Sequence, residues 1–232
     1  MPQRTHLAST ALTLAGGGLL IALSLPQLTG GLKLLSQERT LDNIAGGNYT
    51  RPLSPAEVSY AAARWGEAAP LIEDSDTWAG YGDVLLAAAA GSGYDPARRR
   101  RLVEAAGDAY RKALALGPAN ARAWTMLAFA RFADGAAPAE LFPLLHMSLR
   151  TGPREPGLSF PRLDIALYYW RLLDPPLKVA MQDQSLIAVN DNPRRLAELT
   201  HRRYMLGPVR DMLGVSRYLK WRFDDIYSRL YP

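Results

Sequence analysis

Ala106, Tyr110, Ala113 and Pro118 follow one another at intervals of four, three and five residues, and Trp124, Leu127 and Ala128 come after the proline. Ala106 and Ala113 lie seven residues apart, which on an α-helix places both on one face with Tyr110 beside them. Small side chains on successive turns let a neighbouring helix come close, and the tyrosine fills the groove between them. Trp124 stands where it would cap that packing, and is expected to be buried at the same interface as Ala106 and Ala113. Pro118 cannot donate an intrahelical hydrogen bond and disfavours the helical conformation in the residue before it. With Gly117 it ends one helix near Leu116 and sets the turn into the next.

This spacing resembles the tetratricopeptide repeat, a helix-turn-helix unit read as W-x2-L-G-x2-Y, then A-x3-F, then P. Ala106, Tyr110, Ala113 and Pro118 match its second half, and Trp124, Leu127 and Ala128 open the next unit. Upstream, Trp78 and Gly82 occupy the corresponding first-helix positions, giving a helix from about Asp76 to Ala90 that Gly91-Ser92-Gly93 terminates. Its partner starts near Asp95-Pro96. The gap from Gly82 to Ala106 exceeds the motif by about a dozen residues, so this unit has longer helices or a longer loop. Downstream, Leu141, Leu145, Ser148 and Pro153 repeat the second-half pattern with the signature alanine lost, and Phe160 and Leu163 begin a third, degenerate unit. The resemblance covers residues 76–190 and implies an all-α stack of antiparallel helices with a concave binding surface.

Capping signals extend the helical reading beyond the repeats. Ser54-Pro55-Ala56-Glu57 has the form of a capping box, opening a capping helix to about Ala69 within residues 54–75. Asp174-Pro175 and Asn192-Pro193 read as N-cap and first helical residue. Residues 191–232 hold the C-terminal helices. Between Pro208 and Leu230 one of them sets Tyr218, Trp221, Phe223 and Tyr227 beside Arg217, Lys220 and Arg222.

The N-terminal quarter has a different character. From Leu7 to Leu32 no residue carries a formal charge, and about 20 apolar residues cross a bilayer as helix. Residues 1–33 therefore read as a short tail and a single transmembrane anchor, joined by a linker over 34–53. The competing reading is a secretory signal peptide after Arg4 and His6. Its best cleavage pattern, Ala22-Leu23-Ser24, lies inside the apolar run, so the anchor is preferred. Ala11, Ala15, Gly18 and Ala22 line one face with small side chains, which suits close packing against another membrane helix. Arg4 and the free amino terminus on one side and Lys33 and Arg39 on the other differ little in charge. A short tail before a large domain fits a signal anchor that leaves the domain in the periplasm, with the cytoplasm as the alternative.

Composition narrows the chemistry. Hydrophobic residues form 48% of the chain and charged residues 21%, which suits one packed domain rather than a disordered chain. Of the 27 basic side chains only four are lysine, a bias that fits a GC-rich bacterial source. With no cysteine, disulfides, thiolate metal sites and cysteine nucleophiles are excluded. His6, His146 and His201 lack partners at metal-ligand spacing, and no nucleophile elbow, phosphate loop or dinucleotide fingerprint is present. No catalytic, cofactor-binding or metal residue is assigned. Glu73, Asp74 and Asp76 read as dipole-favoured carboxylates at a helix start, and Asn48-Tyr49-Thr50 carries no role. The net charge of +5 is spread without a nucleic-acid motif, so no nucleic-acid partner is expected. Arg98, Arg99, Arg100 and Arg101 fall in the first turns of a helix, against its dipole, and form a candidate basic contact patch for an anionic polymer, an acidic protein face or lipid headgroups.

Membrane-anchored repeat chains of this size look like accessory proteins of bacterial exopolysaccharide and O-antigen biosynthesis. The resemblance implies a noncatalytic, single-pass inner-membrane scaffold whose partners include an integral membrane protein. The alternative is a structural subunit of another inner-membrane complex, respiratory, photosynthetic or secretory, and an envelope hydrolase or transferase is disfavoured for want of a site. The chain recovered from membranes is expected to retain its N-terminal segment, which intact-mass spectrometry checks. An N-terminus near residue 25 or later, in periplasmic material, would remove the anchor.

Overall fold

A computed structural model describes residues 22–35, 54–155 and 157–232. Every regular element among them is helical, and no strand occurs among the described residues. The helices are α1 (Pro55–Ile72), α2 (Ser75–Ala90), α3 (Pro96–Leu116), α4 (Ala121–Ala133), α5 (Pro138–Thr151), α6 (Ser159–Tyr168), α7 (Pro175–Asp191), α8 (Pro193–Arg203), α9 (Leu206–Met212) and α10 (Arg217–Leu230). Residues 22–34 form a further helical segment before them.

Local chemistry sets these boundaries. The Ser54 side chain accepts from the Glu57 amide while the Glu57 carboxylate accepts from the Ser54 amide, closing the capping box of α1. Asp74, Asp95, Asn120, Asp174 and Asn192 each accept from an amide in the first turn of α2, α3, α4, α7 and α8. Proline opens α1, α3, α5, α7 and α8, where its missing amide hydrogen costs nothing. α1 runs three residues past the expected Ala69 and ends at Glu73, which takes a left-handed conformation with φ 53°.

Short turns make successive helices antiparallel, and alternate helices parallel. Asn120 at the start of α4 donates to Ser75 and Asp76 at the start of α2. Gln184, late in α7, donates to the Pro153 carbonyl beyond the end of α5. The stack thus has a near end, with the turns around Glu73, Pro118, Pro153 and Asn192. Its far end carries the turns around Gly93, Gly135, Leu172 and Tyr204. The surplus length between Gly82 and Ala106 lies mainly in helix: α3 has 21 residues against 13 in α4. Its first turns overhang the far end and carry Arg98 to Arg101, all exposed, behind the exposed Tyr94.

Ala106, Ala113 and Tyr110 are fully buried in one cluster with Trp78, Ala79, Leu114 and Leu127. Trp124 differs from its expected burial. It is half-buried against that cluster, and its indole N–H donates to the Pro118 carbonyl at 2.8 Å, so it clasps the turn from outside. Leu141, Leu145 and Ser148 are likewise fully buried, within or beside a larger cluster built from α4 to α10.

Residues 22–34 run antiparallel to α1. Gly30 lies against Leu71 and Ile72, Lys33 pairs with Glu67 at 2.9 Å, and Leu34 is buried with Ala61, Trp65 and Ala68. The eight residues before Gly30 therefore project past the near end by about 12 Å at 1.5 Å per residue, with Leu23, Leu25 and Leu28 exposed. Among the described residues no helix is long and apolar enough to cross a membrane. Most of the apolar run, including Ala11, Ala15 and Gly18, lies outside the described residues, and Ala22 is exposed.

A methyl group on Gly82 would sit 2.5 Å from the Tyr110 ring, and Ala106 is fully buried. Gly82→Ala and Ala106→Leu are each expected to cost about 1–3 kcal/mol through overpacking. Urea unfolding measures both, and unchanged midpoints would overturn this account of the α2–α3 contact.

Candidate binding groove

The first helices of successive hairpins, α2, α4 and α6, together with α8, share one side of the stack and enclose a cleft of about 480 Å³. Each contributes a stripe at helical spacing: Asp83 and Leu86; Arg122, Met126 and Phe129; Phe160 and Asp164; Arg195, Glu198 and Arg202. On α4 this face is turned away from Trp124 and Ala128, whereas on α6 it includes the repeat position Phe160 and on α2 it adjoins Gly82.

One wall is anchored by a buried triad. The Asp83 carboxylate is 2% exposed; it accepts from the Tyr110 hydroxyl at 2.8 Å and from Arg122 Nε and Nη2 at 2.7 and 2.6 Å. Burial pushes the Asp83 carboxyl above its usual value, and the Arg122 charge and the Tyr110 hydrogen bond pull it back only in part. Burial, then the Asp83 charge, holds the Tyr110 hydroxyl well above its ordinary value, so it stays a donor. Arg122 keeps about a third of its side chain in the cleft.

The opposite wall has arginines behind its carboxylates. Asp164 is held by Arg203 at 2.7 Å and by Arg202 at 3.7 Å, and Glu198 pairs with Arg194 at 3.1 Å. The Arg195 guanidinium lies over the Phe160 ring, 4.3 Å from its centroid, with no ion pair among the described residues. In the lining itself Arg122, Arg195 and Arg202 stand against Asp83, Asp164 and Glu198, and each of those carboxylates is already ion-paired. The cleft can receive an anionic group near Arg195 and apolar side chains along Leu86, Met126 and Phe129.

Behind the cleft lies a second buried network. Arg162 is fully buried, with no carboxylate partner among the described residues. Its Nε donates to Ser148 Oγ at 2.9 Å, Nη1 to Gln184 Oε1 at 3.1 Å, and Nη2 to the Ser148 and Gly152 carbonyls at 3.0 and 2.8 Å. It caps the C-terminal end of α5, where the helix dipole is negative, while Thr125 bonds Ser148 from α4. Burial lowers the Arg162 pKa to about 10, which leaves it charged at neutral pH. Every hydrogen-bonding direction is spent inside the fold, so this arginine is a strut.

The other residues singled out in the sequence lie elsewhere. Arg98 to Arg101 are at the far end, and among the described residues only Arg100 is ion-paired, to Glu104. Asp74 caps α2 through the Asp76 and Thr77 amides. His146 bonds the N-cap Asp174 at 2.8 Å, and His201 stacks on Tyr231 at 3.7 Å; His6 lies outside the described residues. No group of three His, Cys, Asp or Glu side chains among the described residues could hold a metal. Sequence reasoning missed Arg122, Asp164, Arg195 and Arg202. The available signal was the helical spacing of three or four residues within each stripe. No family model, curated protein or solved structure matches this chain.

Removing the Arg122 charge leaves Asp83 buried with the tyrosine alone. Arg122→Gln is expected to cost about 3 kcal/mol at neutral pH, the low end for a broken buried pair because Arg122 is partly exposed. The unfolded chain releases the Asp83 proton near its ordinary value and the folded chain only at higher pH. Between the two the folded state holds the extra proton, so stability falls as pH rises. Losing Arg122 widens that window, and the deficit relative to wild type should be smaller at pH 5 than at pH 8. Urea titrations at both values test this.

Proposed function

We propose that this chain is a noncatalytic adaptor, tethered to a bacterial inner membrane by its N-terminal apolar run. Its helical stack holds a periplasmic protein partner in a cell-envelope complex for polysaccharide biosynthesis or export. The observation that carries the binding role is the groove: four helices contribute side chains to one cleft in which every lining carboxylate is already ion-paired, Arg195 has no ion pair among the described residues, and apolar side chains lie between them. An extended acidic segment with apolar side chains suits that lining, since its carboxylates can meet Arg195 and Arg122 while its apolar groups exclude water from Met126 and Phe129. The tether is supported by the exposed leucines of the projecting segment 22–29, which continue the uncharged run.

Affinity purification of the full chain from mild detergent should recover a partner protein. Arg195→Glu, which reverses the unpaired charge, should lower that recovery about tenfold, the effect of roughly 1.4 kcal/mol. Gly18→Leu should also lower recovery of a membrane partner while leaving membrane insertion intact, because leucine blocks close helix approach but is at least as apolar as glycine. Purification of the wild-type chain alone, with neither variant changing anything, would end the adaptor reading. Reproducible turnover of a glycan or peptide by the purified protein would end the noncatalytic one.

A further inference from the structure

The C-terminal helix presents an edge that the fold leaves uncovered. Val215, Tyr218 and Trp221 are 63%, 65% and 64% exposed, while Phe223 on the opposite side is fully buried. Beside them stand Arg217, Lys220 and Arg222, which have no ion pair among the described residues. The carboxylates of the same helix are already engaged, Asp224 by Arg210 at 3.0 Å and Asp225 by Arg229 at 2.7 Å. Arg217 and Lys220 occupy the first turn of α10, where the helix dipole opposes positive charge. An anionic surface facing that turn would offset the cost.

The direction of α10 places this edge. Arg210 on α9 meets Asp224, His201 near the end of α8 meets Tyr227 and Tyr231, and Met212 at the end of α9 meets Ser185 on α7. α9 therefore runs from the far end toward the near end and α10 runs back. Val215, Tyr218 and Trp221 lie at the return, toward the near end, the end past which residues 22–29 project.

We infer that the Tyr218 and Trp221 edge, with Arg217, Lys220 and Arg222, is a second membrane contact that docks on the anionic headgroup region of the bilayer holding the N-terminal run. Exposed tryptophan and tyrosine partition to the headgroup level, and each nearby cation adds attraction to anionic lipid. The inference rests on the tether reading above. Two contacts at opposite flanks of the stack, the segment 22–34 beside α1 and the α10 edge, fix how the groove faces the bilayer, which one flexible tether does not.

The absence of cysteine allows a single-site test on the full chain reconstituted in phosphatidylcholine nanodiscs with or without phosphatidylglycerol. An environment-sensitive fluorophore is attached to Val215→Cys, which keeps both aromatics, and in parallel to Leu23→Cys and Tyr94→Cys, with nitroxide-labelled lipid as quencher. The expected result is quenching at 215 in discs containing phosphatidylglycerol, at 23 in both discs, and at 94 in neither. Adding Arg217→Gln and Lys220→Gln to the 215 probe should reduce docking about fivefold for each charge lost. Quenching at 23 without quenching at 215 would overturn the docking and leave the tether standing. No quenching at 23 or 215 would overturn both, and quenching at 94 with none at 215 would show the stack lying the other way.

Discussion

The stack depends on how closely α2 and α3 approach. Gly82 has no side chain, and the Tyr110 ring occupies the space one would need, which carries the tyrosine hydroxyl to Asp83. That contact fixes a carboxylate in an apolar interior, where only a cation at short range makes it tolerable. Arg122 supplies it from α4, so a steric allowance at one position becomes an electrostatic demand that positions the next hairpin. A larger residue at 82 would displace the ring, then the hydroxyl, and leave the acid without one of its two partners.

The same logic recurs further along with different chemistry. Ser148 joins α5 to α4 through Thr125 and to α6 through Arg162, and Arg162 reaches α7 through Gln184. Asp164 then joins α6 to α8 through Arg203. Apolar packing holds each hairpin together without specifying its rotation closely, whereas directional polar contacts between hairpins restrict it. The groove inherits its shape from these contacts, since Arg122 and Asp164 belong both to the struts and to the lining.

Helix boundaries were legible because capping is local: Ser54 with Glu57, Asp95 with Pro96, Asp174 with Pro175 and Asn192 with Pro193 each announce a start within a few residues. The buried face of α3 was legible because two alanines and a tyrosine at helical spacing admit few other uses. The groove was not, since Asp83 and Arg122 are 39 positions apart and neither is unusual alone. Arg162 was also hidden, because a lone arginine between Pro161 and Leu163 reads as surface until Ser148, Gly152 and Gln184 converge on it. Trp124 marked the right turn but not its depth, as its N–H can reach the Pro118 carbonyl only from the outer side.

The overhang of α3 has an electrostatic consequence. From Leu116 at the near end to Arg98 at the far end the helix spans about 27 Å at 1.5 Å per residue, roughly three screening lengths at physiological ionic strength. For a stack standing on a bilayer at its near end, the lipid potential has decayed almost completely at that height. Arg98 to Arg101 and Tyr94 then experience only the ions and macromolecules of the surrounding solution. On that proposal the cations at the two ends of the stack would form two populations, one coupled to the membrane surface and one electrically independent of it.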